Sequence, residues 1–136
     1  MIRARRAAIF DLDGTIIPLS SERAFVRHLV RKGIVGPRDL LRWFRAGART
    51  GSSSLLSSLR RCKLYLAGKP VEEIRRLGEE FVRSRLVNRI APGAFAAAAE
   101  HRRAGDRIVL LSGSLEVLVE PMAKAFWRRG LGGLPS

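Results

Sequence analysis

What most limits how this chain can fold is a short unbroken apolar run, Ala7-Ala8-Ile9-Phe10, that stops at once at two carboxylates, Asp11 and Asp13. Four apolar residues bounded by charges read as a strand buried on both faces, as in a parallel sheet. A second such run, Ile108-Val109-Leu110-Leu111, follows only after a long intervening segment, with 100 residues between Asp11 and Ser112. That segment reads as helices. The first runs from Ser21, a capping residue with Glu22 in its first turn, to Gly33, and the second starts at Pro37 and ends where Gly47 opens a loop through Ser54. Leu55, Leu59, Cys62 and Leu66 fall at i, i+4, i+7 and i+11 of a third, which stops at Gly68, and Pro70 begins a fourth that reaches about Ile90. Ala94 to Ala104 is a fifth. Beyond the second strand, Ser114 caps a helix through Phe126 that Pro121 must kink or split, and the tail from Gly130 to Ser136 carries no element. Strand, helices, strand is the order of an α/β fold with one core and an inserted helical part.

Charge comes next. Lysine and arginine number 26 against 12 acidic residues, a formal net charge of +14, and only Lys32, Lys63, Lys69 and Lys124 are lysines. Such a chain is drawn to phosphates, whether on small metabolites, nucleic acid or anionic lipid, and charge alone does not choose between them. The single cysteine, Cys62, forms no internal disulfide and belongs to no zinc-type spacing, so a cytoplasmic, reducing location is expected. The basic start is followed by an apolar stretch too short for a signal peptide, and no apolar run approaches the ~20 residues of a membrane span.

Two carboxylates two residues apart at a strand's end make no sense as burial, because an unpaired carboxylate there is costly. They do make sense if Mg²⁺ offsets their charge and Gly14 supplies a turn that lets backbone approach a phosphate. Asp11 can then attack phosphorus while Asp13 handles a proton. The competing reading is an Asx turn after an edge strand.

The run Phe10-Asp11-Leu12-Asp13-Gly14-Thr15 resembles the first motif of the haloacid dehalogenase-like superfamily, a hydrophobic strand followed by Asp-x-Asp-Gly-Thr. Ile108-Val109-Leu110-Leu111-Ser112-Gly113 is similar to its second motif, a hydrophobic strand ending in Ser or Thr. The helical segment 18–92 resembles the cap inserted after the first strand in phosphoserine-phosphatase-like members. Leu64-Tyr65-Leu66-Ala67-Gly68 and the stretch from Ser112 to Pro121 look most like the subfamily IB hydrolases. The resemblance implies a Rossmann-like parallel-sheet core, residues 1–17 and 93–136, carrying a helical cap, residues 18–92. It implies a Mg²⁺-dependent phosphomonoesterase acting on a small phosphorylated metabolite through an aspartyl-phosphate. Asp11 is then nucleophile and metal ligand, Asp13 the acid and base that also meets the metal, and Thr15, Ser112 and Gly113 hold the phosphate.

The same resemblance implies a lysine and an acidic metal-binding motif beyond residue 126, where this sequence has neither. The expectation is therefore a truncated core, with an open sheet edge prone to self-association. The rival is a non-catalytic remnant that binds anions, nucleic acid or lipid through its basic surface.

The remaining residues carry plainer expectations. Arg23, Arg27 and Arg31, and Arg38, Arg42, Arg45 and Arg49, repeat along two helices and read as solvated faces, with substrate recognition by one or two of them as the alternative. Trp43 and Phe44 read as core, and His28, His101 and Cys62 as structural or solvated. Lys124 reads as a solvated helix lysine.

Overall fold

A computed structural model describes residues 6–49 and 63–130. The expected loop from Gly51 to Ser54, the third helix up to Cys62, and the tail beyond Gly130 lie outside the described residues.

The two apolar runs are β1 (Ala7–Asp11) and β2 (Arg107–Leu111). They pair in parallel, with Ala7 opposite Arg107 and Asp11 opposite Leu111. Side chains alternate across a sheet, so Ala8, Phe10, Ile108 and Leu110 share one face. Two helices cover it: α4 (Pro92–Arg103) and α5 (Glu116–Gly130). Phe10 meets His101 of α4 and Phe126 of α5, each at 6.2 Å between ring centroids, and Phe95 stacks on Phe126 at 5.3 Å. The other face differs from expectation. Ile9 is 65% exposed and Leu111 64% exposed, with Val109 between them half-buried, so among the described residues the strands are well covered on one side only. A continuous apolar run signals a strand fit for burial on both faces, but both covering helices lie on the same one.

Between the strands come α1 (Ser21–Arg31), α2 (Pro37–Arg49), a 3₁₀ turn over Leu64–Leu66, and α3 (Val71–Phe81). The cap of α1 is Ser20, whose hydroxyl accepts the Arg23 N–H at 3.4 Å, one residue before the serine expected. α2 does not stop at Gly47 but continues two residues further, with Gly47 buried. The expected fourth helix changes pitch near its end: after Phe81 the chain forms a π turn over Val82–Leu86 and a 3₁₀ turn over Val87–Arg89. Trp43 packs edge-on against Tyr65 at 4.9 Å, as expected of a core residue, whereas Phe44 is 53% exposed, a correction. One residue along a helix turns a side chain by about 100°, which carries Phe44 off the apolar stripe.

The helical segment is held to the strand layer by a shared core. Leu12, Ile16 and Ile17 after β1, Phe25 and Leu29 of α1, and Leu118, Met122 and Phe126 of α5 are all fully buried within it. Its base is closed where the Ala91 N–H donates to the Ile16 carbonyl at 2.8 Å. Inside the segment, the Glu22 carboxylate accepts from Tyr65 Oη at 2.7 Å and from Lys63 Nζ, tying α1 to the 3₁₀ turn. Burial, and then the Glu22 carboxylate, push the Tyr65 phenol far above its usual range, so it stays a donor.

α3 and α5 meet unusually closely. Pro121 lies inside α5 and has no N–H, so the Val117 carbonyl lacks its usual partner four residues on. Gly78 of α3 faces that carbonyl, and a Cβ there would fall 2.6 Å from its oxygen. α5 runs as one helix from Glu116 to Gly130, so Pro121 does not split it.

His28 sits beside Phe81, at 5.0 Å between centroids, and Phe25, at 6.5 Å. Burial foremost, then Lys32, Arg85 and Arg31, hold its pKa below the ordinary 6.5, against the opposing pull of Glu80. The unfolded chain therefore takes up this proton more readily than the folded one. The contribution of neutral His28 is complete above pH 6.5 and is lost as the pH falls below it. The midpoint of urea unfolding is expected to drop less steeply between neutral and mildly acid pH in His28→Phe than in the unaltered chain. Equal slopes would mean that His28 titrates alike in both states.

Candidate active site

The site is built where β1 and β2 end together. Pairing places Asp11 directly beside Leu111, and the next residue on that side is Ser112. After Asp11 the chain doubles back in a tight loop. The Leu12 carbonyl accepts from the N–H groups of Thr15, Ile16 and Ile17, and the Gly14 N–H donates to the Ile17 carbonyl at 2.8 Å. Gly14 has φ +77°, a conformation that costs a side-chain-bearing residue about 1 kcal/mol or more. Leu12, Ile16 and Ile17 point into the core, which leaves Asp11 exposed and Asp13 half-buried at the strand tips.

Asp13 is fixed in direction. Its Oδ1 accepts the Ser21 backbone N–H at 3.1 Å, at the amino end of α1. The Ser21 hydroxyl, fully buried, lies 2.8 Å from the Ser114 hydroxyl, and the Ser114 N–H donates to Ser112 Oγ at 3.1 Å. Asp13, Ser21, Ser114 and Ser112 thus form one hydrogen-bonded series joining the loop after β1 to the loop after β2. Ser21 and Ser114 were expected only as helix caps. Ser114 instead spends its hydroxyl on Ser21, and α5 begins from the Leu115 carbonyl, which accepts from Leu118 and Val119. A serine doublet before a helix, and Ser-Gly-Ser after a strand, are the only sequence signs of this series.

Replacing Ser21 by alanine is expected to cost about 1–2 kcal/mol, since it leaves the Ser114 hydroxyl without its partner. Urea unfolding measures this, and a loss below a few tenths would mean the series is ornamental. Thr15 and Gly113 are exposed on the same side, with nothing within 4 Å of a Cβ placed on Gly113. Open backbone of this kind leaves room for a ligand to approach.

Of the other residues singled out, His101 Nδ1 meets Asp106 Oδ2 at 2.9 Å on the far side of α4's end, away from the paired carboxylates in sequence and contact. Lys124 pairs with Glu120 at 3.2 Å along the exposed side of α5, as a solvated lysine does. Cys62 lies outside the described residues. Among the described residues, no group of three or more His, Cys, Asp or Glu stands together. Nor is any helix among them long and apolar enough to cross a membrane.

Comparison with known proteins shows the family and the fold. The sequence model of a family described as haloacid dehalogenase-like hydrolase matches residues 8–128. The chain is similar to a histidinol-phosphatase of Neisseria meningitidis serogroup C (strain 8013), at 26% identity over 125 residues, covering 90% of this chain and 56% of that protein. It is similar to a probable phosphatase of Mycobacterium tuberculosis (strain ATCC 25618 / H37Rv), at 33% identity, covering 90% and 45%. A phosphoserine phosphatase of the same strain is 28% identical, with 93% and 42% covered. Among solved structures, a protein of unknown function from Bordetella pertussis Tohama I superposes with a TM-score of 0.68 at 26% identity, covering 90% of this chain and 57% of that one. The chain spans about half the length of the curated relatives it matches.

Proposed function

Because the chain belongs to the haloacid dehalogenase-like hydrolases, with relatives named as phosphatases, we propose that its strand-tip site hydrolyses a phosphomonoester of a small metabolite through a phosphorylated Asp11. One observation carries the reading: Asp11, Asp13 and Ser112 emerge at the same end of one parallel strand pair, with Asp13 tied to Ser112 by hydrogen bonds. A ligand site outside the carboxyl ends of parallel strands is the usual place in such folds.

In this mechanism an oxygen of the Asp11 carboxylate attacks phosphorus, and the bond from phosphorus to the ester oxygen breaks. Asp13, aimed by the Ser21 N–H on Oδ1, gives its proton to the departing oxygen. A water then attacks the phosphorus of the acyl phosphate, Asp13 takes its proton, and phosphate leaves with the Asp11 carboxylate restored. Ser112 Oγ, Thr15 and the Gly113 N–H hold the phosphoryl oxygens. The Asp11 carboxylate and the Asp13 main-chain carbonyl would be hard oxygen donors of the kind Mg²⁺ takes, leaving the Asp13 carboxyl free for the proton and the rest of the shell to water and substrate phosphate. Bound there, the ion would neutralise phosphoryl charge. The segment 18–92 serves as a cap over this end of the sheet, an assignment supported by its closed base at Ile16 and Ala91.

Phosphate release from 4-nitrophenyl phosphate tests the reading. Release that requires Mg²⁺ and stops on chelation is the expected result. The net charge of +14 favours a second reading, an anion-binding protein without turnover. Salt-dependent phosphate binding with no release would select it.

A further inference from the structure

Along one side of α1, Arg23, Arg27 and Arg31 stand a turn apart, about 6 Å per step along the axis. Facing them, Arg85 and Arg89 come from the widened end of α3. With His28 these residues line an open cleft of about 460 Å³, and no acidic residue lines it. Its apolar lining comes from Leu19, Ala24, Phe81 and Leu86.

The π turn is what brings Arg85 to the mouth. In an unbroken helix, residue 85 would follow Phe81 on the buried stripe, four positions on. The extra residue in the Val82–Leu86 turn hands that place to Leu86, which is buried, and leaves Arg85 exposed at the rim. Ser84 Oγ steadies the widened turn by donating to the Glu80 carbonyl at 2.8 Å. π turns of this kind recur at functional sites.

Glu80 acts on His28 at the cleft, but among the described residues the arginines there are not held in ion pairs. Lys32, Lys63, Lys69, Arg42 and Lys124 each pair with a carboxylate. Among the described residues none of Arg23, Arg27, Arg31, Arg85 and Arg89 does so. Five guanidinium groups around one cleft repel each other and together attract anions, and each can grip a phosphate with two parallel N–H groups.

We propose that this cleft binds a small molecule bearing two or more linked phosphates. The volume falls among those of small-molecule sites, roughly 300–1,000 Å³, which suits an oligophosphate or a nucleotide better than a nucleic-acid duplex. Arginines on both walls select a chain of phosphates over a single one. None of Asp11, Asp13, Thr15, Ser112 and Gly113 lines the cleft, although Ser20, next to the Ser21 that holds Asp13, does; the proposal therefore rests on other side chains than the phosphatase reading.

The test is calorimetric titration of the full chain with inorganic tripolyphosphate at about 0.15 M salt. Orthophosphate and a short single-stranded oligonucleotide serve as comparison ligands. Tripolyphosphate is expected to bind at least about tenfold more tightly than orthophosphate. Arg27→Gln with Arg85→Gln, one from each wall, should weaken it about tenfold or more. Arg38→Gln with Arg45→Gln removes the same charge from α2, outside the cleft, and should leave it within about twofold. Equal losses in the two pairs would overturn the proposal, since general charge attraction would then suffice. It would also fall if the oligonucleotide depended on Arg27 and Arg85 while tripolyphosphate did not. A readout on the unaltered chain guards against misfolded variants: tripolyphosphate should slow modification of Arg27 and Arg85 by phenylglyoxal, and absence of protection counts against the cleft.

Discussion

Asp11→Asn is expected to lower phosphate release by ~10³-fold or more while shifting stability by no more than about 0.5 kcal/mol. The two halves of that expectation have separate origins. Asn keeps the shape of Asp but offers no anionic oxygen to attack phosphorus, so the covalent route closes. The fold barely registers the exchange, because Asp11 is exposed at the end of β1 and its carboxylate holds no hydrogen bond among the described residues. Activity assays on aryl phosphate, paired with thermal unfolding, check both halves. Turnover that survives the exchange would remove Asp11 as nucleophile, whatever else the site does.

The largest effect on stability is expected at Gly78. In a helix interior, alanine is ordinarily better than glycine by about 0.5–1 kcal/mol. Gly93, in the first turn of α4 with nothing within 4 Å of a built Cβ, should follow that rule and gain stability on Gly93→Ala. Gly78→Ala should do the reverse, because the new methyl would lie 2.6 Å from the Val117 carbonyl oxygen and 3.1 Å from the Val117 side chain. Backbone cannot yield as a side-chain tip does, so α3 and α5 must separate, at about 2–3 kcal/mol. That corresponds to a melting temperature lower by roughly 8–12 °C for a domain of this size. Opposite signs for one exchange at two helical glycines would show the close crossing directly; a gain at both would mean the helices are further apart.

Much of this arrangement was legible in the residues. Ala7 to Phe10 and Ile108 to Leu111 announce strands because continuous apolar runs of that length suit little else, and the carboxylates that end the first mark the site. Which face of the sheet would be covered was not legible, since the run holds Ile9 and Phe10 in equal esteem and only the placement of α4 and α5 separates them. The change of pitch after Phe81 hides in a stretch of ordinary helix-forming residues, although the step of five from Phe81 to Leu86 breaks the spacing of three and four. Ser20 and Ser21 are chemically alike, and only the path of the loop decides that one caps α1 and the other reaches Ser114. The contact at Gly78 needed two distant residues at once, Pro121 freeing a carbonyl and Gly78 making room for it.

The hydrogen bond between Ala91 and Ile16 also bears on how the molecule assembles. Bringing β1 to β2 directly means closing a loop of about 100 residues, an entropic cost near 4 kcal/mol before any strand contact forms. Once Ala91 is held at Ile16, fewer than about 20 residues remain between that clasp and β2, and the remaining cost of closure falls by more than 1 kcal/mol. The helices between can form from local contacts, which are fast, whereas parallel pairing across the chain is slow. The expected order of folding is insert first, clasp second and sheet last, which would make the paired carboxylates the final part of the molecule to take shape; in pulse-labelled hydrogen exchange during refolding, β1 and β2 amides gaining protection no later than those of α1 would overturn it.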